Sequence, residues 1–262
     1  MSDTNPWPTV DIFDMPIAAI RLAQLFDEVA RAIDGRRPTP LRIAYANAHT
    51  CNLFHDDPRY RAALLRADLI YADGNGPRLA AWLAGASLPE RMTAADWIVD
   101  LCRRAAERGD RLFLLGTKPE MLAAAVARLQ KLAPELQLVG SHHGFLRDAQ
   151  ASEVLEAIRR AQPDILLVGM GSPRQEIWMA EHAERAGVPV VWSVGAALDY
   201  ASGLQRRPPR WLRRLGLEWL GRLLIEPRRL AGRYLIGLPR FVIRALAFAW
   251  RARRRGPEGA GG

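Results

Sequence analysis

The chain has 262 residues, 49% hydrophobic and 25% charged, which fits one large core, alone or with an appendage, in a soluble globular protein. Its two cysteines, Cys51 and Cys102, lie far apart without CxxC or Cys/His spacing, which argues against a metal site or disulfide framework and for a reducing compartment. The net charge of +9 is uneven: from Arg206 to Gly262 there are 15 Arg, no Lys and 3 Glu, or +12, so a body of net charge −3 carries a basic tail. The start, Met-Ser-Asp-Thr-Asn-Pro, has no basic segment leading into an apolar one, so no secretory signal is expected.

Thr9 to Pro16 reads as a short edge strand, and Ile17 to Ile33 as an amphipathic helix, with Ile20, Leu22, Leu25, Phe26, Val29 and Ile33 near helical spacing. Leu41 to Ala46 is a strand that delivers Asn47-Ala48-His49-Thr50-Cys51-Asn52 at its carboxyl end, and a short helix near Pro58 to Leu65 follows. The apolar strand Leu69-Ile70-Tyr71-Ala72 runs into Asp73-Gly74-Asn75-Gly76-Pro77. Open α/β sheets bind ligands outside their strand carboxyl ends, so Asp73 stands where a carboxylate can do chemistry; capping the next helix is the alternative.

Helices are expected near Pro77 to Leu83 and Thr93 to Arg108, and then strand and helix alternate. The strands are Arg111 to Leu115, Leu136 to Gly140, Asp164 to Val168 and Pro189 to Val194; the helices are Glu120 to Leu132, Ala149 to Arg160 and Gln175 to Ala186. Near-continuous apolar strands such as Ile165-Leu166-Leu167-Val168 belong to a parallel sheet covered on both faces. The fold class is α/β: a Rossmann-like, doubly wound, mostly parallel sheet over residues 1–205, with a basic amphipathic helical appendage over 206–250 and 251–262 as a disordered tail.

Two strand-to-helix turns have the composition of anion sites. Gly116-Thr117-Lys118-Pro119 offers a glycine, a capping residue and a proline in the first helical turn, and Gly169-Met170-Gly171-Ser172-Pro173 repeats the plan. Neither is a GxGxxG or Walker A motif, which disfavours a nicotinamide cofactor or a P-loop hydrolase. Either turn alone reads as a tight turn; both on one sheet edge beside Asp73 point to a nucleoside diphosphate. Gln175, in the first turn after Ser172-Pro173, is expected to present its amide to the same crevice, and Arg91 before Thr93 can pair with phosphate. His49 is a candidate base or hydrogen-bond donor, although a lone histidine at a strand end is more often structural, and Asn52 joins it as a substrate-binding candidate; His142 and His143 carry less.

Asn47 after a strand, Tyr71-Ala72-Asp73-Gly74, Glu90-Arg91-Met92-Thr93, Gly169-Met170-Gly171-Ser172-Pro173-Arg174-Gln175-Glu176, Val194-Gly195-Ala196 and Leu217-Glu218-Trp219-Leu220-Gly221-Arg222-Leu223 together resemble the WecG/TagA/CpsF glycosyltransferase family over roughly residues 9 to 240. The resemblance implies a Rossmann-like enzyme that moves a sugar from a UDP-sugar donor to a polyprenyl-diphosphate-linked saccharide, with inversion. It also implies a site without the metal-binding DxD motif, and this chain likewise has no DxD, which agrees with a metal-free site; no cofactor is expected. By the same resemblance Asp73 matches the catalytic base, and Asn47, Arg91 and Gln175 match donor or acceptor positions. The sequence departs at Tyr45, where many members have Thr, and at Ala94-Ala95-Asp96, where Gly-x-Asp is usual, so the sugar is either N-acetylmannosamine-type or glucose-type.

From Trp211 to Trp250 apolar residues recur among arginines, as in basic amphipathic helices. Tyr234 to Trp250 is only 17 residues and contains Arg240 and Arg244, too short and too charged to span a bilayer. Trp211, Trp219, Trp250, Phe241 and Phe248 among arginines suit a lipid headgroup surface better than nucleic acid. The expected location is cytoplasmic, peripheral at the inner face of the membrane, with Arg222, Arg228 and Arg233 reaching the UDP diphosphate; homo-oligomerisation stays open. The competing reading is a non-catalytic, basic nucleotide-sugar or nucleic-acid binding protein in which Asp73 only caps a helix.

Overall fold

The computed structural model describes residues 7–35, 37–145, 150–214 and 216–254. The chain opens with a hairpin, β1 (Thr9–Asp11) and β2 (Pro16–Ala18), in which Val10 pairs with Ile17. Its turn places Phe13 and Asp14 at φ 59° and 63°, and Asp11 Oδ1 accepts the Asp14 amide at 2.9 Å. The expected single strand is therefore two, and the helix expected from Ile17 begins later, at α1 (Leu22–Asp34). Ile17 and Ile20 have helical spacing, but strand pairing and a fully buried environment claim Ile17 first.

Next come β3 (Leu41–Ala46), α2 (Ala48–Asp56), α3 (Pro58–Leu64), β4 (Leu69–Ala72), α4 (Gly76–Leu83) and α5 (Ala94–Arg108). Helix α2 is not among the expected elements, because its hydrophobic face is interrupted by polar residues. Its start is nevertheless written in Asn47 and Thr50: the Asn47 side-chain carbonyl accepts the His49 and Thr50 amides at 3.0 and 3.1 Å, and the Thr50 hydroxyl accepts the Asn47 amide at 2.6 Å. The alternating part is β5 (Arg111–Gly116), α6 (Pro119–Leu132), β6 (Gln137–His142), α7 (Gln150–Ala161), β7 (Ile165–Gly169), α8 (Arg174–Ala186) and β8 (Val190–Ser193). Then follow α9 (Ala197–Ala201), α10 (Arg210–Arg214), α11 (Glu218–Ile225), α12 (Pro227–Ala231), a π-helical turn over Gly232–Ile236, and α13 (Gly237–Arg254). Residues 255–262 of the expected tail lie outside the described residues.

Six parallel strands form the main sheet in the order β4-β3-β8-β7-β5-β6. Strand alternation sends neighbouring residues to opposite layers. Ile43, Tyr71, Leu114, Leu167 and Trp192 meet α1, α5, α6 and α9, with Trp97 stacked on Trp192 at 4.5 Å between ring centroids. Ala44, Ile70, Leu115, Leu166 and Val191 meet α2, α3, α4, α7 and α8 in the other layer. Phe241 and Ala245 of α13 are buried in that second layer. Chain direction after β3 runs to β4 on one side, whereas β7 and β8 approach β3 from the other, so a crevice opens at the carboxyl ends of β3, β4, β7 and β8.

Candidate active site

Asp73 follows β4 directly. Its amide donates to the Ala46 carbonyl at 2.7 Å, extending the β3–β4 pairing by one residue, and the Gly74 amide donates to Met92 at 2.7 Å. The backbone around the carboxylate is thus held on two sides, and Gly74, at φ 76°, turns the chain toward α4. The Asp73 side chain makes no cap to α4; Asn75 holds that position. Instead Asn47 Nδ2 donates to Asp73 Oδ2 at 3.1 Å, while the Asn47 side-chain carbonyl caps α2, so one side chain serves both helix and carboxylate.

Asp73 is half-buried, and burial pushes its pKa up to about 6 against the pull of the Asn47 hydrogen bond. Three charges from the C-terminal segment act on it as well: Glu218 raises the value, and Arg222 and Arg233 lower it. The structure therefore brings Asn47, Asp73, Arg222 and Arg233 together. Arg233 also stands beside His49, whose pKa is lowered to about 4 by burial and then by that guanidinium, so the imidazole is neutral at pH 7. The Nε of Arg233 is buried with no partner among the described residues. Arg222 lies over the Tyr200 ring at 5.5 Å, with Arg207 over the same ring at 5.4 Å. Arg228 is exposed on α12 and is not among the charges that shift Asp73.

Other expected site residues are committed to the protein itself. Asn52 is buried: its Nδ2 donates to the Gly237 carbonyl at 2.7 Å and its Oδ1 accepts from Arg244 at 2.8 Å. Arg244 continues to Asp56 at 2.5 Å, so Asn52 fastens α13 to α2 rather than facing the crevice. Arg91 reaches Thr93 at 3.4 Å, Asp96 at 3.2 Å and Glu218 at 3.7 Å. Asp96 also receives Arg207 at 2.8 Å and Arg213 at 2.9 Å, which makes it the second fastening of the C-terminal segment.

The two glycine turns sit side by side. A Cβ at Gly116 would overlap the Gly169 backbone, so β5 and β7 end in mutual contact that excludes side chains. Thr117 is not the cap of α6, a position Lys118 takes; its amide donates to Gly169 at 3.0 Å and its hydroxyl to Asp199. Gly171, at φ 77°, has open space where a Cβ would stand. Gln175 has no exposed surface: its Nε2 donates to Tyr45 Oη at 3.2 Å and Glu176 at 2.7 Å, and its Oε1 accepts the Gly171 and Gly195 amides at 3.2 and 3.0 Å. It ties turns together and does not present a free amide. A Cβ at Gly195 would fall 2.5 Å from Tyr45 Oη, so Tyr45 fills the space between β3 and β8. The role of Tyr200 escapes a sequence reading, since nothing local marks it, and Glu218 and Asp96 lie in stretches the sequence singles out without showing what they pair with.

A parallel Rossmann-like sheet with a raised carboxylate and arginines at its carboxyl edge is the layout of an enzyme of the Rossmann-like class. Residues 10–255 match the Glycosyl transferase WecG/TagA/CpsF family, and the chain belongs to it. It is a glycosyltransferase, which removes the non-catalytic reading. It is similar to a Bacillus spizizenii protein named N-acetylglucosaminyldiphosphoundecaprenol N-acetyl-beta-D-mannosaminyltransferase, 30% identical over 190 residues, 72% of each chain. A Staphylococcus aureus protein of the same name is 28% identical over 221 residues, 84% of this chain and 86% of its own. Among the described residues no helix is long and apolar enough to cross a membrane, and no three His, Cys, Asp or Glu side chains cluster to hold a metal.

Proposed function

We propose that this glycosyltransferase moves a sugar from a UDP-sugar to a polyprenyl-diphosphate-linked saccharide, with inversion and without a metal ion. The relatives' name supports the acceptor class and puts N-acetylmannosamine first among donor sugars, with a glucose-type sugar second because the chain departs from the family pattern at Tyr45 and Ala94-Ala95. The observation that carries the reading is Asp73, a raised, half-buried carboxylate held by Asn47 and facing Arg222 and Arg233.

In this mechanism the acceptor hydroxyl gives its proton to Asp73 while its oxygen bonds to the anomeric carbon. The bond from that carbon to the diphosphate oxygen breaks, and its electron pair leaves with UDP. A base whose pKa lies just below working pH is largely ionised and still basic enough to take the proton. Arg222 and Arg233 meet the charge that develops on the diphosphate. Neutral His49 beside Arg233 offers a hydrogen bond without adding charge.

The acceptor lies in a bilayer, and the C-terminal segment has the surface to approach one. Leu224 is 74% exposed, Ile236 70% and Ile243 67%, with Leu235 and Trp250 also exposed among Arg228, Arg229, Arg240 and Arg251. Apolar side chains interleaved with arginines fit an anionic headgroup region at the inner membrane face. The division at residue 205 follows this role, with 206–250 bringing Arg222 and Arg233 to the crevice and the crevice to the membrane.

A panel of UDP-sugars with a polyprenyl-diphosphate-linked N-acetylglucosamine acceptor tests the reading. Transfer from one UDP-hexose or UDP-N-acetylhexosamine that persists in EDTA is expected. A strict metal requirement sinks the arginine-based account of the leaving group, and failure with every UDP-sugar sinks the donor.

A further inference from the structure

Glu176 is a carboxylate that the reaction above leaves unused, and it has no exposed surface at all. It stands in the first turn of α8, behind the turn that follows β7. Its Oε1 accepts from Ser172 Oγ at 2.8 Å and from Gln175 Nε2 at 2.7 Å, while its Oε2 has no partner among the described residues. Tyr45 on β3 and Tyr60 on α3 face it as neutral phenols, both held well above their ordinary pKa by burial and then by Glu176. Burial pushes Glu176 itself up to about 7. An orphaned buried oxygen is costly, and an apolar side chain of similar size would fill the same space without that cost.

The benefit lies in what Oε1 orients. Were the Gln175 amide turned over, its NH2 would confront two backbone N–H donors and its oxygen would confront the carboxylate. Glu176 and these two backbone amides together fix which way Gln175 points, and the Gln175 side-chain carbonyl then joins Gly171, after β7, to Gly195, after β8. These turns form the crevice edge across from Asp73.

We propose that Glu176 is a positioning residue for the donor: through Ser172 and Gln175 it sets the separation of the turns after β7 and β8, and so the width of the crevice edge that receives the nucleoside diphosphate. The inference rests on the reading of this crevice as the UDP-sugar site.

Calorimetric titration of the full chain with UDP, together with donor and acceptor kinetics, compares wild type with Glu176→Gln, Glu176→Ala and Ser172→Ala. In Glu176→Gln the new side-chain carbonyl still accepts both hydrogen bonds, so that variant should hold UDP within about threefold of wild type. Either alanine variant should weaken UDP about tenfold and raise donor KM with acceptor KM unchanged, the effect of roughly one hydrogen bond. Alanine variants that melt earlier yet bind UDP like wild type would reduce Glu176 to a core residue and overturn the proposal. Should Glu176→Ala fail to fold, Ser172→Ala decides alone, because its side chain is only partly buried and an unchanged UDP affinity is again fatal. A wild-type chain that does not bind UDP fails differently: it removes the donor-site reading itself.

Discussion

Asp73→Asn should make the protein both inactive and more stable. The Asp73 pKa is raised from 3.8 to about 6, so the folded state holds that proton more tightly than the unfolded chain. Below pH 3.8 both states carry the proton and the group is neutral to folding. As pH rises toward about 6 the unfolded chain ionises first, so stability falls across that window and stays low above it. A gap of about two units at 1.36 kcal/mol each is at most about 3 kcal/mol, and partial exposure cuts this to roughly 1 to 2. Asparagine keeps the hydrogen bond from Asn47 but never ionises. At pH 7 it should therefore raise Tm by a few degrees, at roughly 2 to 4 °C per kcal/mol for a chain of this size. Turnover should fall by about 10² to 10⁴ with UDP affinity nearly intact. Calorimetric melting at pH 7 and pH 4 with single-turnover assays tests both halves, since the stability gain must shrink at pH 4. An Asp73→Asn variant that is no more stable at pH 7, or that turns over within a few-fold of wild type, would refute the account of Asp73 as a burdened base.

Activity should have an acid limb near pH 6, because only ionised Asp73 accepts the proton; about a tenth is ionised at pH 5, so kcat/KM there should be roughly a tenth of its plateau. Asn47→Ala removes the hydrogen bond that lowers this pKa and should move the limb to higher pH, whereas Glu176→Gln should leave it in place; a limb indifferent to Asn47 contradicts the assignment. Arg233→Ala should raise the His49 pKa above about 4, read by imidazole NMR titration, and weaken UDP binding; an unmoved His49 would separate Arg233 from the site. Ile236→Asp with Ile243→Asp should reduce sedimentation with anionic vesicles, which salt should also weaken at about 1 kcal/mol per basic residue at the surface, and equal pelleting in low salt would dismiss this face.

The parallel strands are legible because buried strands must be apolar throughout, and the helices between them because their apolar stripes repeat every turn. Asp73 is legible for a topological reason: a carboxylate that directly follows such a strand has to emerge at the sheet edge where ligands sit. The hairpin at Ile17 and the helix α2 are not. Ile17 satisfies two periodicities at once, and α2 is held by its Asn47 cap and its neighbours more than by an apolar stripe of its own.

By itself the sequence determined the layer architecture, the edge on which chemistry occurs, and the uneven charge, since these follow from local periodicity and composition. Only the tertiary structure decided which polar residues face the crevice. Asn52 and Gln175 carry the same amide as Asn47, yet Asn52 is taken by Gly237, 185 positions away, and Gln175 by Tyr45, 130 positions away. A buried amide must be satisfied by whatever packing brings within about 3 Å, and which groups arrive depends on how distant helices dock, information no local pattern contains. Arg222, Arg228 and Arg233 illustrate the converse: the sequence puts all three forward from a tail of 15 arginines, and the return of α11 and the π-helical turn onto the sheet edge is what sets the charges of Arg222 and Arg233, and not that of Arg228, against Asp73.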